Sequence, residues 1–292
     1  MKKILITGKG SYIGNSFIEY IGENYPSEYE IEVLDMLDPD WKEFSFEGFD
    51  SVFHVAGIAH SDSGKISEEK AKLYYSVNTD LTIETAKKAK ADGVKQFIFM
   101  SSAIVFGESA PIGRSKIITA ETKPSPANAY GDSKLQAEIG LSELCGESFS
   151  VVILRPPMIY GKGSRGNYPT LAKLARKLPF FPNVKNQRSM LYVEHLSEFV
   201  RLMIKNEECG TFYPQNKEYS NTSELVRLIA AANGKKIALL KGFGWALKFL
   251  SLFSGLVNKA FGSLAYEATL SEYKADYRPL TLAETIERTE KK

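Results

Sequence analysis

The sequence predicts an α/β protein built on a doubly wound parallel sheet, with a smaller C-terminal α/β region. Through residues 1–155, short apolar runs alternate with helical patterns of roughly 10–25 residues, which favours a parallel sheet covered by helices on both faces. A glycine-rich turn, LITGKGSYIG (Leu5–Gly14), joins the first strand to the first helix. Crossovers between parallel strands are right-handed, so the doubly wound arrangement is the expected one.

The elements of this first part follow from local patterns. The strands are apolar runs such as SVFHVA and SVVIL, the first helix has apolar residues at positions 13, 17, 18 and 21, and the second is rich in Ala, Lys and Glu. In chain order we predict the strand Ile4–Thr7, the helix Ile13–Asn24, the strands Glu30–Asp35 and Ser51–Ala56, the helix Ser67–Asp92, the strand Lys95–Ser101, the helix Tyr130–Cys145 and the strand Ser150–Leu154.

After Arg155 the pattern changes to a stretch rich in proline and glycine. The helix Pro169–Lys177, the strand Ser189–Val193 and the helix Glu194–Lys205 are predicted beyond it. We therefore expect one domain at residues 1–156, to which residues 189–208 return. A second region should comprise residues 157–188 and 209–292.

The amino-acid composition limits which ligands the protein is expected to bind and the cellular compartment in which it is expected to occur. The 292 residues carry a net charge of only +2 and no long basic run, so no nucleic-acid partner is expected. Two cysteines, Cys145 and Cys209, form no disulfide framework and indicate reduced thiols in a cytoplasmic protein. Three histidines without metal-ligand spacing predict no metal site.

An apolar segment at residues 242–264 raises the question of membrane contact. Lys248 and Lys259 interrupt it, and the uncharged run between them is shorter than the ~18 residues that a span requires. No transmembrane span is therefore expected. A buried or half-buried helix is favoured over a helix that rests on a membrane surface, although the latter stays open.

The glycine-rich turn resembles a phosphate-binding loop without matching either common pattern. G-x-G-x-x-G would need glycine at Ile13, and T-G-x-x-G-x-x-G would need it at Ser11. Its place between a strand and a helix is the context that such a loop requires, although a plain connection would also use glycine. Asp35 ends the second strand, where an acid accepts hydrogen bonds from ribose hydroxyls and favours NAD over NADP; Asp38 and Asp40 are nearby alternatives.

A phenol and an ammonium stand four residues apart in YGDSK, at Tyr130 and Lys134. On a helix they share one face, and the lysine is expected to lower the pKa of the tyrosine toward acid–base work. Ser101 and Ser102 end the preceding buried strand, and either hydroxyl could share a substrate proton with Tyr130; strand-end capping is the alternative role for each.

Together these motifs resemble the extended short-chain dehydrogenases, in the branch of the NAD-dependent nucleotide-sugar epimerases and dehydratases such as the UDP-glucose 4-epimerases. The resemblance covers nearly the whole chain. It is carried by TGKGSYIG (Thr7–Gly14), Asp35, HVAG (His54–Gly57), VN (Val77–Asn78), FMSSAIVFG (Phe99–Gly107), YGDSK (Tyr130–Lys134), LRPPMIYGKG (Leu154–Gly163), RSMLYVEHL (Arg188–Leu196) and YRPLTLAETI (Tyr277–Ile286).

The resemblance implies a Rossmann domain at residues 1–156 that binds NAD, a substrate-binding C-terminal region, and roles for individual residues. Ser102, Tyr130 and Lys134 would be catalytic. Ser102, Tyr130, Asn167 and Arg188 would contact the substrate. The cofactor would be held by Gly8, Gly10, Ser11, Tyr12, Ile13, Gly14, Asp35, Ala56, Gly57, Asn78, Tyr130, Lys134 and Pro157.

Three departures from the family pattern qualify this assignment. Ser11 replaces the middle glycine of the loop, so we expect Ser11 to hold a conformation open to any residue, with Gly10 taking the unusual φ. Met158 stands where many members have a polar residue facing the sugar. Ala103 and Ile104 follow Ser102 where sugar dehydratases carry an Asp-Glu pair, which argues against dehydration.

The implied activity is NAD-dependent epimerisation of a nucleotide sugar, UDP-linked, at C4 through a transient 4-keto sugar. An NAD(P)H-dependent reductase of 4-keto nucleotide sugars is the alternative, and a non-catalytic dinucleotide-binding regulator is a third. The implied setting is the assembly of surface polysaccharides. The helices Ser67–Asp92 and Tyr130–Cys145 resemble those that form a four-helix dimer interface in this family, so a homodimer is expected.

Overall fold

The computed structural model describes residues 1–58, 66–244, 247, 249 and 255–291. Its strands are β1 Lys2–Thr7, β2 Tyr29–Leu34, β3 Ser51–His54, β4 Gln96–Met100, β5 Ile117–Ile118, β6 Ser150–Leu154, β7 Met158–Tyr160, β8 Phe180–Pro182, β9 Met190–Tyr192, β10 Gly210–Phe212, β11 Ala238–Leu240 and β12 Ala265–Tyr266. Its α-helices are α1 Tyr12–Asn24, α2 Glu68–Tyr75, α3 Leu81–Ala91, α4 Ala129–Leu144, α5 Asn167–Lys177, α6 Val193–Lys205, α7 Thr222–Ala232, α8 Gly255–Phe261 and α9 Leu282–Glu290.

The chain forms two compact units. Unit 1 comprises Met1–Gly107, Lys123–Pro156 and Leu196–Pro214, and unit 2 comprises Glu108–Thr122, Pro157–His195 and Gln215–Lys292. This division differs from the expected one in three places. Residues 108–122 belong to unit 2 because β5 pairs with β12, and residues 189–195 belong there because β9 pairs with β7. Residues 209–214 belong to unit 1 because β10 pairs with β6.

Unit 1 is built on a six-stranded sheet in the order β10-β6-β4-β3-β1-β2, with every pair parallel. The predicted α/β fold class with a doubly wound parallel sheet is thereby confirmed. The central strands are buried on both faces, which explains why they read as continuous apolar runs. One face packs a core that includes Leu5, Phe97, Phe99, Ala86 and Leu141.

The helix predicted at Ser67–Asp92 is interrupted. A π-helical segment, Ser76–Asp80, separates α2 from α3 and contains the buried Asn78 and Thr79. The hydroxyl of Thr79 donates to the carbonyl of Ser133 (2.7 Å), and the amide of Asn78 donates to Ser133 Oγ (3.2 Å). The extra residue in this turn therefore aims two polar side chains at α4.

Unit 2 contains three small parallel pairs, β5–β12, β7–β9 and β8–β11, together with α5, α7, α8 and α9. Tyr160 lies at its centre: its hydroxyl hydrogen-bonds Thr285 (2.6 Å) and accepts from Asn216 (2.8 Å), and its ring stacks on Tyr168.

The apolar segment at 242–264 is described only in part, because residues 245, 246, 248 and 250–254 lie outside the described residues. The interfacial-helix alternative falls largely on those residues. Phe261 in α8 is buried and stacks on Phe181 of β8. Among the residues that the structure describes, no helix has the length and apolarity to cross a membrane.

Candidate active site

The glycine-rich turn after β1 takes the backbone form expected for it. Gly8 and Gly10 have φ of +120° and +73°, whereas Ser11 is extended at φ −67°, ψ 141°. Ser11 is the N-cap of α1, and its Oγ accepts the Gly14 N–H at 3.1 Å. The prediction that Ser11 holds an ordinary conformation while Gly10 takes the unusual φ is confirmed. A serine at this position supplies a side-chain hydrogen bond to the helix start that a middle glycine would lack.

Gly8 brings three strand ends together. Its N–H donates to Leu34 O at the end of β2 (3.0 Å), and a Cβ at this position would lie 2.7 Å from the backbone nitrogen of Ala56. Ala56 in turn donates its N–H to Thr7 O (2.8 Å). Asp35, which is half-buried, follows Leu34 directly, so its carboxylate lies at the same sheet edge as the glycine turn.

Of the three candidate acids, Asp35 directly follows β2, and its carboxylate accepts the Leu37 N–H (3.0 Å). Asp38 and Asp40 are exposed in the turn beyond β2, where the Asp38 carboxylate accepts the Asp40 N–H (3.0 Å). These features form the cradle that a dinucleotide requires: a tight glycine turn, the N-terminus of a helix and an acid at the next strand end. The residues present therefore fit a dinucleotide.

Ser102 and Tyr130 meet where β4 ends. Ser102 Oγ accepts the Ile104 N–H (3.2 Å), which leaves its proton for the hydrogen bond that it makes with the Tyr130 hydroxyl. Tyr130 lies in the first turn of α4, and Asn128 caps this helix by accepting the Gly131 N–H (2.9 Å). A Cβ on Gly131 would lie 2.9 Å from the carbonyl oxygen of Ile104, so this glycine permits the close approach.

The expected effect of Lys134 on Tyr130 is wrong in this structure. Burial raises the pKa of Tyr130 to about 12, and only the hydrogen bond from Ser102 opposes it. Lys134 instead donates to Met100 O (2.9 Å) and lies over the ring of Phe99. Burial also lowers the pKa of Lys134 to about 8, because desolvation disfavours its charged form.

Asn78 and Gly57 surround the Lys134 ammonium. A Cβ on Gly57 would lie 3.0 Å from Asn78 Oδ1 and 3.2 Å from Lys134 Nζ. Asn78 is fully buried and holds the backbone of Ile58, because its Oδ1 accepts the Ile58 N–H (2.8 Å) and its Nδ2 donates to the Ile58 carbonyl (3.1 Å). The structure thus brings Gly57, Asn78 and Lys134 together beside the Ser102–Tyr130 pair.

A buried ion pair behind the site escaped the sequence analysis. Glu138, one turn beyond Lys134 on α4, is paired with Arg155, whose Nε lies 3.1 and 3.2 Å from the two carboxylate oxygens. Ser101 donates its hydroxyl proton to the same carboxylate. The two serines therefore have different partners: Ser101 hydrogen-bonds Glu138, and Ser102 hydrogen-bonds Tyr130. The spacing Tyr130, Lys134, Glu138 was the available signal, since all three occupy one helical face.

Two of the residues predicted to contact the substrate, Asn167 and Arg188, line one cavity within unit 2. Its volume is about 260 Å³, and it is otherwise mostly apolar, with walls that include Met158, Leu171 and Phe261. Asn167 is the first residue of α5, whose N-terminus favours anions, and Arg188 Nη1 donates to Gly262 O (3.4 Å). Burial lowers the pKa of Arg188, and an anion in the cavity would offset that cost.

The remaining predicted residues are placed as follows. Tyr12 and Ile13 are the first two residues of α1. Pro157 is buried and is the first residue of a segment of unit 2, whereas the other predicted cofactor residues belong to unit 1. Its contact with a cofactor stays a prediction.

The amino-acid sequence is similar to a known family and to individual proteins of known name. A model of the NAD dependent epimerase/dehydratase family matches residues 4–213. The UDP-glucose 4-epimerase of Vibrio cholerae is 30% identical, over 99% of this chain and 94% of its own length. The N-acetyl-alpha-D-glucosaminyl-diphospho-ditrans,octacis-undecaprenol 4-epimerase of Escherichia coli O157:H7 is 28% identical, over 98% of this chain and 93% of its own.

Solved structures share the fold at lower identity. The UDP-glucuronic acid 4-epimerase from Bacillus cereus, in complex with NAD, has a TM-score of 0.72 at 18% identity, covering 98% of this chain and 96% of its own. The dTDP-4-dehydrorhamnose reductase from Bacillus anthracis, in complex with NADP, has a TM-score of 0.73 at 21% identity, covering 99% of both chains.

Proposed function

Because the chain belongs to the NAD-dependent epimerase/dehydratase family, we propose that it epimerises a nucleotide sugar at C4 through a transient 4-keto sugar. The observation that carries the proposal is the Ser102–Tyr130 hydrogen bond at the end of β4, with Lys134 one turn along the same helix. Two relatives that match nearly the whole chain are both named as 4-epimerases. The substrate proposed is a UDP-linked sugar, as in the name of the Vibrio cholerae relative.

In this proposal Tyr130 moves the proton and Ser102 positions it. Tyr130 takes the proton of the sugar 4-hydroxyl and later returns it, while Ser102 holds the phenol and the sugar oxygen in line through its own hydrogen bond. When bound, NAD would supply the hydride acceptor and donor for the sugar carbon, and the positive charge of its oxidised ring would favour a phenolate at Tyr130. Lys134 and Asn78 would hold the ribose side of the cofactor.

The cofactor proposed is NAD. Asp35 lies at the strand end beside the glycine turn, where its carboxylate would accept hydrogen bonds from ribose hydroxyls and repel a 2′-phosphate. Fluorescence titration with NADH and NADPH tests this assignment directly. We expect tighter binding of NADH, and a preference for NADPH would contradict the role given to Asp35.

The cavity of unit 2 is proposed to bind the diphosphate end of the substrate. Arg188 supplies a fixed positive charge, the start of α5 at Asn167 supplies helix amides, and the apolar wall beside them can pack against a base. Arg188→Met should therefore raise KM much more than it lowers kcat.

One observation favours the reductase alternative. With its pKa raised to about 12, Tyr130 is protonated at neutral pH, which is the form that donates a proton to a 4-keto sugar. Reduction of an entering 4-keto nucleotide sugar by bound NAD(P)H would use the same residues. The presence of Ser102, Tyr130 and Lys134 argues against the third possibility, a regulator without catalysis.

A turnover assay separates these activities. The purified protein is incubated with UDP-glucose, UDP-GlcNAc, their C4 epimers and the polyprenyl-diphosphate-linked sugar, each with and without NADH. Interconversion without loss of NADH supports the epimerase, and oxidation of NADH by a 4-keto sugar supports the reductase. Absence of turnover together with absence of dinucleotide binding would overturn both.

Tyr130→Phe sharpens the assay. It removes the proton-carrying oxygen and should abolish turnover while NADH still binds. Tyr219→Phe is the matched control, because this half-exposed hydroxyl donates to Tyr266 O within unit 2 and should leave turnover intact. Turnover by Tyr130→Phe at the wild-type rate would remove Tyr130 from the mechanism.

A homodimer in the cytoplasm completes the proposal. On the adjacent helices α2 and α4, Leu73 and Ile139 are 48% and 49% exposed, which is high for large apolar side chains. Light scattering should give about twice the 32.5 kDa chain mass, and Leu73→Glu should give the monomer mass. A wild-type mass of one chain would contradict the dimer.

A further inference from the structure

The only two cysteines of the chain lie side by side on unit 1. The Sγ atoms of Cys145 and Cys209 are 3.3 Å apart although the residues are 64 positions apart in sequence, and both residues are exposed. Cys145 directly follows α4, and Cys209 directly precedes β10.

The backbone on each side of this pair is fixed. After Cys145, Gly146 and Phe149 exchange backbone hydrogen bonds of 3.0 and 3.2 Å, and the Lys90 ammonium donates to Leu144 O (2.7 Å) just before it. Beyond Cys209, Gly210 pairs with Val152 in the parallel sheet. The contact between the two sulfur atoms is therefore set by the fold.

We propose that Cys145 and Cys209 are a redox-active dithiol that closes to an intrachain disulfide when it meets a low-molecular-weight disulfide such as oxidised glutathione. The thiolate of one cysteine attacks one sulfur of the oxidant and releases one reduced thiol. The thiolate of the other cysteine then attacks the protein sulfur of the mixed disulfide and releases the second. Two electrons pass to the oxidant, and the two protons lost by the cysteines end on the two released thiols.

The two thiols are adjacent and both residues are exposed, so either can react first with the external disulfide and the other then resolves the intermediate. We do not propose that the two cysteines bind a metal ion, because within the described ranges no third His, Cys, Asp or Glu joins them in a metal-binding group.

The disulfide would close a large excursion of the chain. Between the two cysteines the chain leaves unit 1 at Pro156, contributes residues 157–195 to unit 2, and returns at Leu196. A cross-link over so long a loop removes much freedom from the unfolded chain. Tyr130 lies about 22 Å along α4 from Cys145, so the catalytic end of that helix should be unaffected.

The 292-residue chain is equilibrated in buffers of oxidised and reduced glutathione, and free thiols are then blocked with iodoacetamide. We expect a form with no blocked cysteine and a mass about 2 Da below that of the unmodified reduced chain. Peptide mapping should join residues 145 and 209. The unfolding temperature of this form should rise by about 5–10 °C and fall back with dithiothreitol.

Cys145→Ser and Cys209→Ser are the matched controls, and each should show no rise in unfolding temperature. The proposal is overturned if wild type keeps glutathione on either cysteine instead of forming the internal bond. It is also overturned if both thiols stay free throughout, or if only bonds between two chains form. None of these readouts depends on turnover, so the outcome is separate from that of the proposed function.

Discussion

The contact of Gly8 with the end of β3 gives the most direct test of the cofactor cradle. Gly8→Ala would place a Cβ 2.7 Å from Ala56 N and 2.9 Å from Ala56 Cα, at a φ of +120°. Both partners are backbone atoms, so they cannot move aside as the tip of a side chain does. Gly10→Ala is the matched control, because Gly10 also has positive φ (+73°) but a Cβ there meets nothing within 4 Å.

The two substitutions should differ in cost by the steric overlap and by the greater backbone strain of a φ of +120°, both of which act at Gly8. A non-glycine residue in the left-handed region costs about 1–2 kcal/mol, which is the whole expected loss for Gly10→Ala. At Gly8 the overlap adds about 1–3 kcal/mol, the usual cost of overpacking a close contact. At about 2–4 °C per kcal/mol for a domain of this size, Gly8→Ala should lower the unfolding temperature several degrees further than Gly10→Ala.

The assay is thermal unfolding of the two variants and the wild type without added dinucleotide. Leaving the ligand out keeps binding effects from adding to the stability difference. Equal losses in the two variants would show that the strand ends are not held at the spacing described. A larger loss in Gly10→Ala would contradict the argument outright.

Three further predictions concern the surrounding residues. Ser11→Ala should cost about 1 kcal/mol because the Gly14 N–H loses its cap, whereas Ser11→Gly should cost only a few tenths and leave the NADH affinity unchanged. Glu138→Gln should cost about 3–5 kcal/mol in urea unfolding, because it leaves Arg155 buried beside a neutral group. Since burial lowers the pKa of Lys134 from 10.5 to about 8, the unfolded chain binds more protons between these values, and stability relative to Lys134→Met should rise with pH there.

Each of these has its own control or contrary result. Tighter NADH binding by Ser11→Gly would mean that the serine obstructs the phosphates. Glu224→Gln breaks an exposed pair with Arg227 and should cost less than about 1 kcal/mol. An equally small loss for Glu138→Gln would show that the buried pair contributes no more to stability than an exposed one. A stability difference from Lys134→Met that is flat between pH 8 and 10.5 would show that Lys134 is not buried as described.

The sequence predicted the parallel sheet because its central strands are apolar on both faces, a local property that can be read directly. It could not show the π-helical segment, because that depends on hydrogen bonds between Asn78 or Thr79 and two residues distant in sequence, Ile58 and Ser133. The boundary of unit 2 was hidden for the same reason, since the two residues of β5 pair with a strand near the end of the chain.

The candidate site shows the same limit in its electrostatics. The spacing of Tyr130 and Lys134 correctly placed both on one helix. Whether the ammonium faces the phenol or a carbonyl depends on packing, and here it faces Met100 O. The same spacing could also have predicted that Glu138 shares this helical face. Its partner Arg155 lies outside α4 and could not be inferred from that helix alone.

The π-helical segment also sets how this stretch of chain can tolerate insertions and deletions. Each residue advances an α-helix by about 100°, so the extra residue in Ser76–Asp80 turns α3 by that angle relative to a continuous helix. Removing one residue there would leave the length almost unchanged, yet it would rotate the buried Thr82 and Ala86 out of their present contacts. The count of residues between Tyr75 and Leu81 is therefore as constrained as their identity.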